Sequence, residues 1–254
     1  MSVNTNGPDT TIRRIAMWSG PRNLSTAMMR AFSSRSDTAV IDEPFYAAYL
    51  AVTGLDHPMR DAILASQPTD PRAAAADLAG RVAAQKIAAT VQYEKHMTHH
   101  MVEVMPRDWF NDATHVFLIR RPERVIASYA AKRETVTLDD LGFERQTELF
   151  DLIAATARSA PAVVDCDAIL ADPETQLAAL CADIDLPFEE AMLSWPTGQH
   201  PADGIWGAHW YGAVERSTGF APARALPKPS NAHQRALTEA AMPHYDHLAA
   251  YLRS

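Results

Sequence analysis

Apolar and polar positions fall into two alternating kinds of block along the chain. Five short runs are β-branched or continuously apolar: Arg13–Trp18, Thr38–Ile41, Thr90–His96, His115–Ile119 and Ala162–Cys166. Runs of this length predict strands, and His115–Ile119 (HVFLI) has the character of a buried one. Between them the apolar residues recur every three or four positions. Leu24, Met28 and Ala31 share one face, so a helix is predicted over Asn23–Ser34. Further helices are predicted within the Ala-rich stretch Asp56–Ala89, which Pro68 and Pro71 divide in two, the second running Ala73–Ala88. Others follow at Pro106–Asn111, Glu123–Lys132, Glu144–Arg158, after Asp172-Pro173-Glu174, and at Ser230–Tyr251.

Strands alternating with helices imply an α/β fold, a mostly parallel five-stranded sheet covered by helices on both faces. Residues 1–11 are polar, carry Gly7-Pro8 and read as a frayed tail. Residues 12–254 read as one domain, in which 187–229 is a long aromatic, lid-like elaboration rich in Trp, Gly, Pro and His.

Composition narrows the picture. Hydrophobic residues make up 47% of the 254, enough for a full core. The formal net charge of −8 argues against a general binder of nucleic acid or of anionic membranes. An anionic ligand therefore needs a local basic pocket. Two cysteines, Cys166 and Cys181, are too few for a disulfide framework, and a reducing cytoplasm is the expected location. The N-terminal stretch has no signal-peptide h-region, and no apolar run is long enough for a membrane helix. The oligomeric state is not legible.

The chemistry centres on Ile15–Arg30, IAMWSGPRNLSTAMMR, which reads as strand, anion-binding turn and helix. Gly20 permits a turn that a side chain would obstruct, and Pro21 fixes the approach. From Arg22 through Asn23 and Leu24 the backbone N–H groups open the helix at the positive end of its dipole. Arg22 adds a planar donor fork, and Ser25 and Thr26 add hydroxyls. The triphosphatase spelling G-x-x-x-x-G-K-[ST] is absent, since no Lys precedes the hydroxyl pair. A second basic segment, FLIRRPERVIASYAAKR, places Arg120 at a strand end and Ser128 eight residues on, with Arg124 and Lys132 near it. Acid groups Asp42 and Glu43 end the second strand, where α/β sheets bind ligands, and Pro44 stops it. Alternation should turn those two carboxylates to opposite sides. Lys95 and His96 end the third strand on the same edge. His96, His99 and His100 cluster there without a recognisable metal spacing, so no metal is expected.

The Arg22 loop, the Arg120–Ser128 spacing and the distance from the loop to Glu43 together resemble the sulfotransferases. These enzymes use 3′-phosphoadenosine 5′-phosphosulfate (PAPS) and leave 3′,5′-ADP. The resemblance covers most of the chain in order and implies a three-layer α/β/α fold of the P-loop type. It implies that Gly20 to Thr26 hold the 5′-phosphosulfate and that Arg120 and Ser128 hold the 3′-phosphate. Lys95 would stabilise the bridging oxygen, and Glu43 or His96 would take the acceptor proton, with Arg22 at the transferred group. The implied acceptor is a small molecule bearing a hydroxyl or amine. The aromatic stretch through Trp210-Tyr211-Gly212 and Arg216-Ser217 looks like the sulfotransferase-like domains of bacteria and of plant proteins fused to an aminotransferase-like domain. The R-K-G-x-x-G loop of cytosolic enzymes is absent, leaving Arg216 and Ser217 as candidates to cover the nucleotide. Two alternatives stand beside this: a small-molecule kinase using ATP and Mg²⁺ held by Asp42, and a non-catalytic anion-binding relative.

Overall fold

A computed structural model describes residues 12–84, 89–131, 136–222 and 225–253. The expected tail at 1–11, the last turn of the helix drawn to Ala88, and Lys132 lie outside them.

Strand β1 (Arg13–Ser19) leads into α1 (Ser25–Ser33), and β2 (Thr38–Asp42) follows. Three helices come next: α2 (Tyr46–Thr53), α3 (Arg60–Ser66) and α4 (Pro71–Ala84). Strand β3 (Val91–Met97) turns through a 3₁₀ segment, Thr98–His100, and a second 3₁₀ segment, Asp108–Asp112, replaces the predicted helix over 106–111. Strand β4 (Thr114–Ile119) is followed by α5 (Pro122–Ala130), the short α6 (Leu138–Leu141) and α7 (Phe143–Ala154). After β5 (Ala162–Asp165) come α8 (Cys166–Ala171), which was not predicted, and α9 (Pro173–Asp183), capped by Asp172 accepting from Thr175 N at 3.2 Å. A 3₁₀ segment at Glu190–Leu193, α10 (Gly207–Trp210) and α11 (Ala232–Ala249) complete the order.

The sheet runs β2-β3-β1-β4-β5, and every ladder is parallel. All five strands therefore end on one rim. The neighbours of β1 are β3 and β4, so the turn after β1 lies mid-rim, with the ends of β3 and β2 to one side and those of β4 and β5 to the other. Strand interiors are closed off by Ile15, Met17, Trp18, Tyr93, Val116, Phe117 and Leu118, all wholly or almost wholly buried. Burial of such side chains stabilises by roughly 1.5–3 kcal/mol each. The result is the α/β fold that the element order implied, with the P-loop-like arrangement that the resemblance implied, and its sheet is wholly parallel.

The aromatic segment 187–229 is pinned to this body by charge. Arg30 of α1, 2% exposed, donates twice to Asp203, Nη1 to Oδ1 and Nη2 to Oδ2, both at 2.6 Å. Gly204 is required beside it: a Cβ there would stand 2.1 Å from the Trp206 ring. Among the described residues, no helix is long and apolar enough to cross a membrane.

Candidate active site

The turn after β1 holds two residues in left-handed backbone, Arg22 (φ 64°) and Leu24 (φ 62°). Leu24 is the residue before α1, and no side chain caps the helix there. The helix therefore begins at Ser25, later than its apolar spacing suggests, with its first amides unoccupied by a cap. Gly20 serves packing in addition to the turn, because a Cβ would come within 2.6 Å of the Leu141 carbonyl. That contact brings α6 against the back of the loop.

Arg120, at the end of β4, supports the loop from the side. Its Nη1 donates to the Arg22 carbonyl at 2.7 Å. Arg22 in turn donates from Nε to Ser128 Oγ at 2.9 Å, so the two basic segments touch. Burial, with the Arg120 charge beside it, pulls the Arg22 pKa down. Arg124 is paired with Asp167 at 2.5 Å, and Arg120 Nε lies 3.7 Å from the same carboxylate. The basic field at this end is thus carried chiefly by Arg22 and Arg120.

The ends of β2 and β3 carry a buried ionic cluster. Lys95 Nζ donates to Asp42 Oδ1 at 2.9 Å, to Glu43 Oε1 at 2.6 Å and to Tyr211 Oη at 2.5 Å. An ammonium has three N–H donors, and all three are engaged. The Tyr211 hydroxyl gives its own proton to Asp42 Oδ2 at 2.8 Å and accepts from Trp206 Nε1 at 3.0 Å. Asp42 also accepts from Gly204 N at 2.9 Å. The expectation that Asp42 and Glu43 point apart is overturned. Alternation holds only within a strand, and β2 stops at Asp42. Glu43 takes φ 40°, outside the strand, while its N–H still pairs with the Lys95 carbonyl at 3.0 Å, and its carboxylate swings back to Lys95.

Burial is the largest influence on Glu43 and raises its pKa. Lys95 opposes the rise, Asp42 adds to it, and the group ends above the ordinary carboxylate range. Burial alone would lower Lys95, but Asp42 and Glu43 outweigh it and hold the ammonium above its usual value. The Tyr211 phenol is pushed well up by burial and the two carboxylates, so it stays protonated.

His96 does not join this cluster. Alternation sends it to the opposite side of the sheet from Lys95, where it stacks on Trp18 at 4.6 Å and Trp109 at 5.1 Å. Its Nε2 pairs with the buried Glu94 carboxylate at 3.0 Å, and Arg14 completes that pair at 2.6 Å. The histidine beside Glu43 is instead His100, with Nε2 3.9 Å from Glu43 Oε2. Burial, helped by neighbouring histidines and Lys95, keeps His100 well below its ordinary pKa, hence neutral.

One cleft of about 680 Å³ gathers most of these groups. Pro21 through Thr26, Glu43, Lys95, His100, Arg120, Arg124, Ser128, Tyr211 and Ser217 all line it. Gly20, His96 and Arg216 do not line it. Ser217 reaches the wall, but its Oγ donates to the Val214 carbonyl at 2.7 Å and accepts from Trp195 Nε1 at 3.1 Å. Asp42 is also absent from the lining, its oxygens turned to Lys95, Tyr211 and Gly204. That weakens its expected place as a magnesium ligand. From the sequence, Tyr211 is a candidate only for stacking, together with Trp206 and Trp210, and His100 only a member of a histidine cluster; their places beside Lys95 and Glu43 were not expected. The aromatic segment was visible as unusual, but nothing in the sequence couples position 211 to position 42.

The sulfotransferase-domain family profile matches residues 13–252. Two curated relatives from Arabidopsis thaliana are named branched-chain-amino-acid aminotransferase-like proteins 1 and 2. They are 33% and 31% identical over 239 residues, 94% of this chain. The chain spans 42% of their length. Among solved structures, a sulfotransferase domain from the curacin biosynthetic pathway superposes with a TM-score of 0.55 at 12% identity, covering 90% of this chain and 97% of that one. A sulfotransferase domain from the Synechococcus PCC 7002 olefin synthase gives 0.54 at 16% identity, covering 92% and 96%. These two likenesses concern the fold. With the profile spanning nearly every residue from β1 to the end of α11, the chain belongs to the sulfotransferase family.

Proposed function

We propose that this chain transfers a sulfuryl group from PAPS to a hydroxyl or amine of a small acceptor. The observation that carries the reading is the shared cleft: Arg22, Arg120 and Ser128 line it together with Glu43 and Lys95. The sheet order sets its polarity. Arg120, Arg124 and Ser128 follow β4, the Arg22 loop follows β1, and Glu43 and Lys95 follow β2 and β3.

In this reading the open amides of α1, with Ser25, Thr26 and Arg22, hold the 5′-phosphosulfate. Arg120 and Ser128 hold the 3′-phosphate. The acceptor oxygen attacks sulfur, and a new S–O bond forms while the bond from sulfur to the bridging phosphate oxygen breaks. The electron pair leaves on that bridging oxygen, giving 3′,5′-ADP. The acceptor proton passes to Glu43, the carboxylate lining the cleft, whose pKa burial raises from its ordinary value. Arg22 supplies positive charge at the transferred group, and losing one such pre-organised contact costs on the order of 10²-fold in rate. Lys95, its three N–H groups taken by Asp42, Glu43 and Tyr211, fixes the Glu43 carboxylate in place. His96, turned into the core, has no part in it.

Calorimetry with 3′,5′-ADP and 5′-AMP tests the reading. The expected result is a preference of at least about tenfold for 3′,5′-ADP, equivalent to ~1.4 kcal/mol. Equal affinity for the two would remove the assignment of Arg120 and Ser128. Glu43→Gln is expected to bind 3′,5′-ADP normally and lose turnover.

A further inference from the structure

The aromatic segment 187–229 sends one side chain into the ionic cluster at the ends of β2 and β3. Tyr211 directly follows α10 and is 5% exposed, yet it lines the cleft. Its place is fixed from several sides. Arg30 clamps Asp203, and the next residue, Gly204, donates its N–H to Asp42 at 2.9 Å. Gly207 leaves room for the tyrosine ring, since a Cβ there would stand 2.9 Å from Tyr211 Cδ2. Trp206 Nε1 donates to the hydroxyl at 3.0 Å.

That hydroxyl has no unused valence. A phenol offers one proton and two lone pairs. The proton goes to Asp42, whose oxygens stand 2.9 and 2.8 Å away, and the lone pairs take Trp206 Nε1 and Lys95 Nζ. Glu43 Oε1, at 3.3 Å, is a neighbour that receives no proton from it. The consequence falls on Glu43 all the same. With two Lys95 N–H groups engaged by Asp42 and Tyr211, the third has one direction left, and it meets Glu43 Oε1 at 2.6 Å. Oε1 is therefore tied, and Oε2 is the oxygen left to face an acceptor. The titratable group beside Oε2 is His100, with Nε2 at 3.9 Å, and burial keeps that ring neutral.

We propose that Tyr211 is a positioning residue for the base: its hydroxyl aims Lys95 at Glu43 Oε1, so that Oε2 alone is presented to the acceptor. The aromatic segment thereby completes the site as well as covering it. The proposal rests on the reading of Glu43 as base for its part in turnover, and on the hydrogen bonds alone for its effect on the carboxylate.

Tyr211→Phe removes the hydroxyl and keeps the ring, which lies 4.6 Å from Lys95 Nζ. The Glu43 carboxyl is followed against pH by carbon-13 NMR in the full chain, its signal identified by its loss in Glu43→Gln. Burial raises the Glu43 pKa most, and Lys95 and Tyr211 are the groups that hold it back. Without the hydroxyl, Glu43 is expected to titrate higher by about half a pH unit or more. Affinity for 3′,5′-ADP by calorimetry should stay within about twofold, because Tyr211 makes no bond to the basic segments. Trp206→Phe controls for packing: it deletes indole bulk and keeps the Tyr211 hydroxyl, so Glu43 should titrate as in the parent. In the parent itself the Tyr211 hydroxyl proton should exchange slowly and show a through-space NMR contact to the Trp206 Nε1 proton. An unmoved or lowered Glu43 titration in a cooperatively melting Tyr211→Phe protein overturns the proposal, and so does an equal shift in Trp206→Phe. If Tyr211→Phe does not fold, the hydroxyl-proton contact decides, its presence supporting the proposal and its absence ending it. Failure of the parent to bind 3′,5′-ADP would instead count against the sulfuryl-transfer reading, while the Glu43 titration still reports on Tyr211.

Discussion

Arg22 Nε donates to Ser128 Oγ across 2.9 Å, so the loop after β1 and the helix after β4 form one continuous basic surface. With Arg120 Nη1 on the Arg22 carbonyl at 2.7 Å, the loop is braced from the segment that would hold the other end of the nucleotide. Ser128→Ala is expected to weaken 3′,5′-ADP by roughly tenfold, the size of one hydrogen bond to a charged group, and to leave 5′-AMP almost unchanged. Parallel titrations of both nucleotides check this.

Asp42 does not line the cleft, yet its charge acts on Glu43, the proposed base. It pushes the Glu43 pKa up, and it accepts one of the three Lys95 N–H bonds. In Asp42→Asn that charge is gone, so Glu43 loses its proton more readily. A base must be deprotonated to act, so the acid limb of the kcat/KM profile should move to lower pH. The maximum should fall by about tenfold as Lys95 loses a charged acceptor. A variant that lost rate with an unmoved acid limb would show that Asp42 acts only in packing.

His115 makes the fold sensitive to acid. Its Nδ1 accepts from Trp18 Nε1 at 2.8 Å, and its Nε2 faces the Phe110 carbonyl at 2.9 Å, an arrangement that needs the neutral ring. Burial lowers its pKa from 6.5 to about 4. The unfolded chain thus binds this proton first. The stability contribution is complete above pH 6.5 and is lost as pH falls towards 4, by roughly 3 kcal/mol in full. His115→Gln can keep both hydrogen bonds without titrating. Urea denaturation of the two proteins from pH 7.5 to 4 should show the parent falling more steeply. Parallel curves would contradict the assignment.

Arg30 and Asp203 hold α1 to the aromatic segment through two 2.6 Å bonds in the interior. Asp203→Ala strands a buried guanidinium and should destabilise by about 3–5 kcal/mol. Arg30→Met with Asp203→Leu replaces the pair by apolar bulk and is expected to recover most of the loss. Denaturant midpoints of the three variants decide between an electrostatic role and a merely spatial one.

Much of this was legible in the sequence where a residue's role depends on its neighbours along the chain. The loop from Gly20 to Thr26, Arg120 at a strand end and Ser128 on the next helix all follow from local periodicity and turn chemistry, and all but Gly20 line the cleft. His96 was misplaced because period-two alternation was not carried through Lys95: adjacent residues on one strand cannot both face the ligand. Asp42 and Glu43 failed in the opposite sense, since alternation was extended one residue beyond the strand's end into a backbone with φ 40°. Tyr211 could not be found by either rule. Its partner Asp42 is 169 positions away, and only the folded path of the aromatic segment brings them together.

The bond from Tyr211 to Asp42 also sets an order of events during synthesis. Translation delivers N-terminal segments first, so all five strands leave the ribosome well before residue 211. Until it emerges, Lys95 and its two carboxylates lack the hydroxyl that links them and the Trp206 and Gly204 donors around it. A nascent chain halted at residue 200 should therefore carry a nearly finished sheet beside an ionic cluster still open to water.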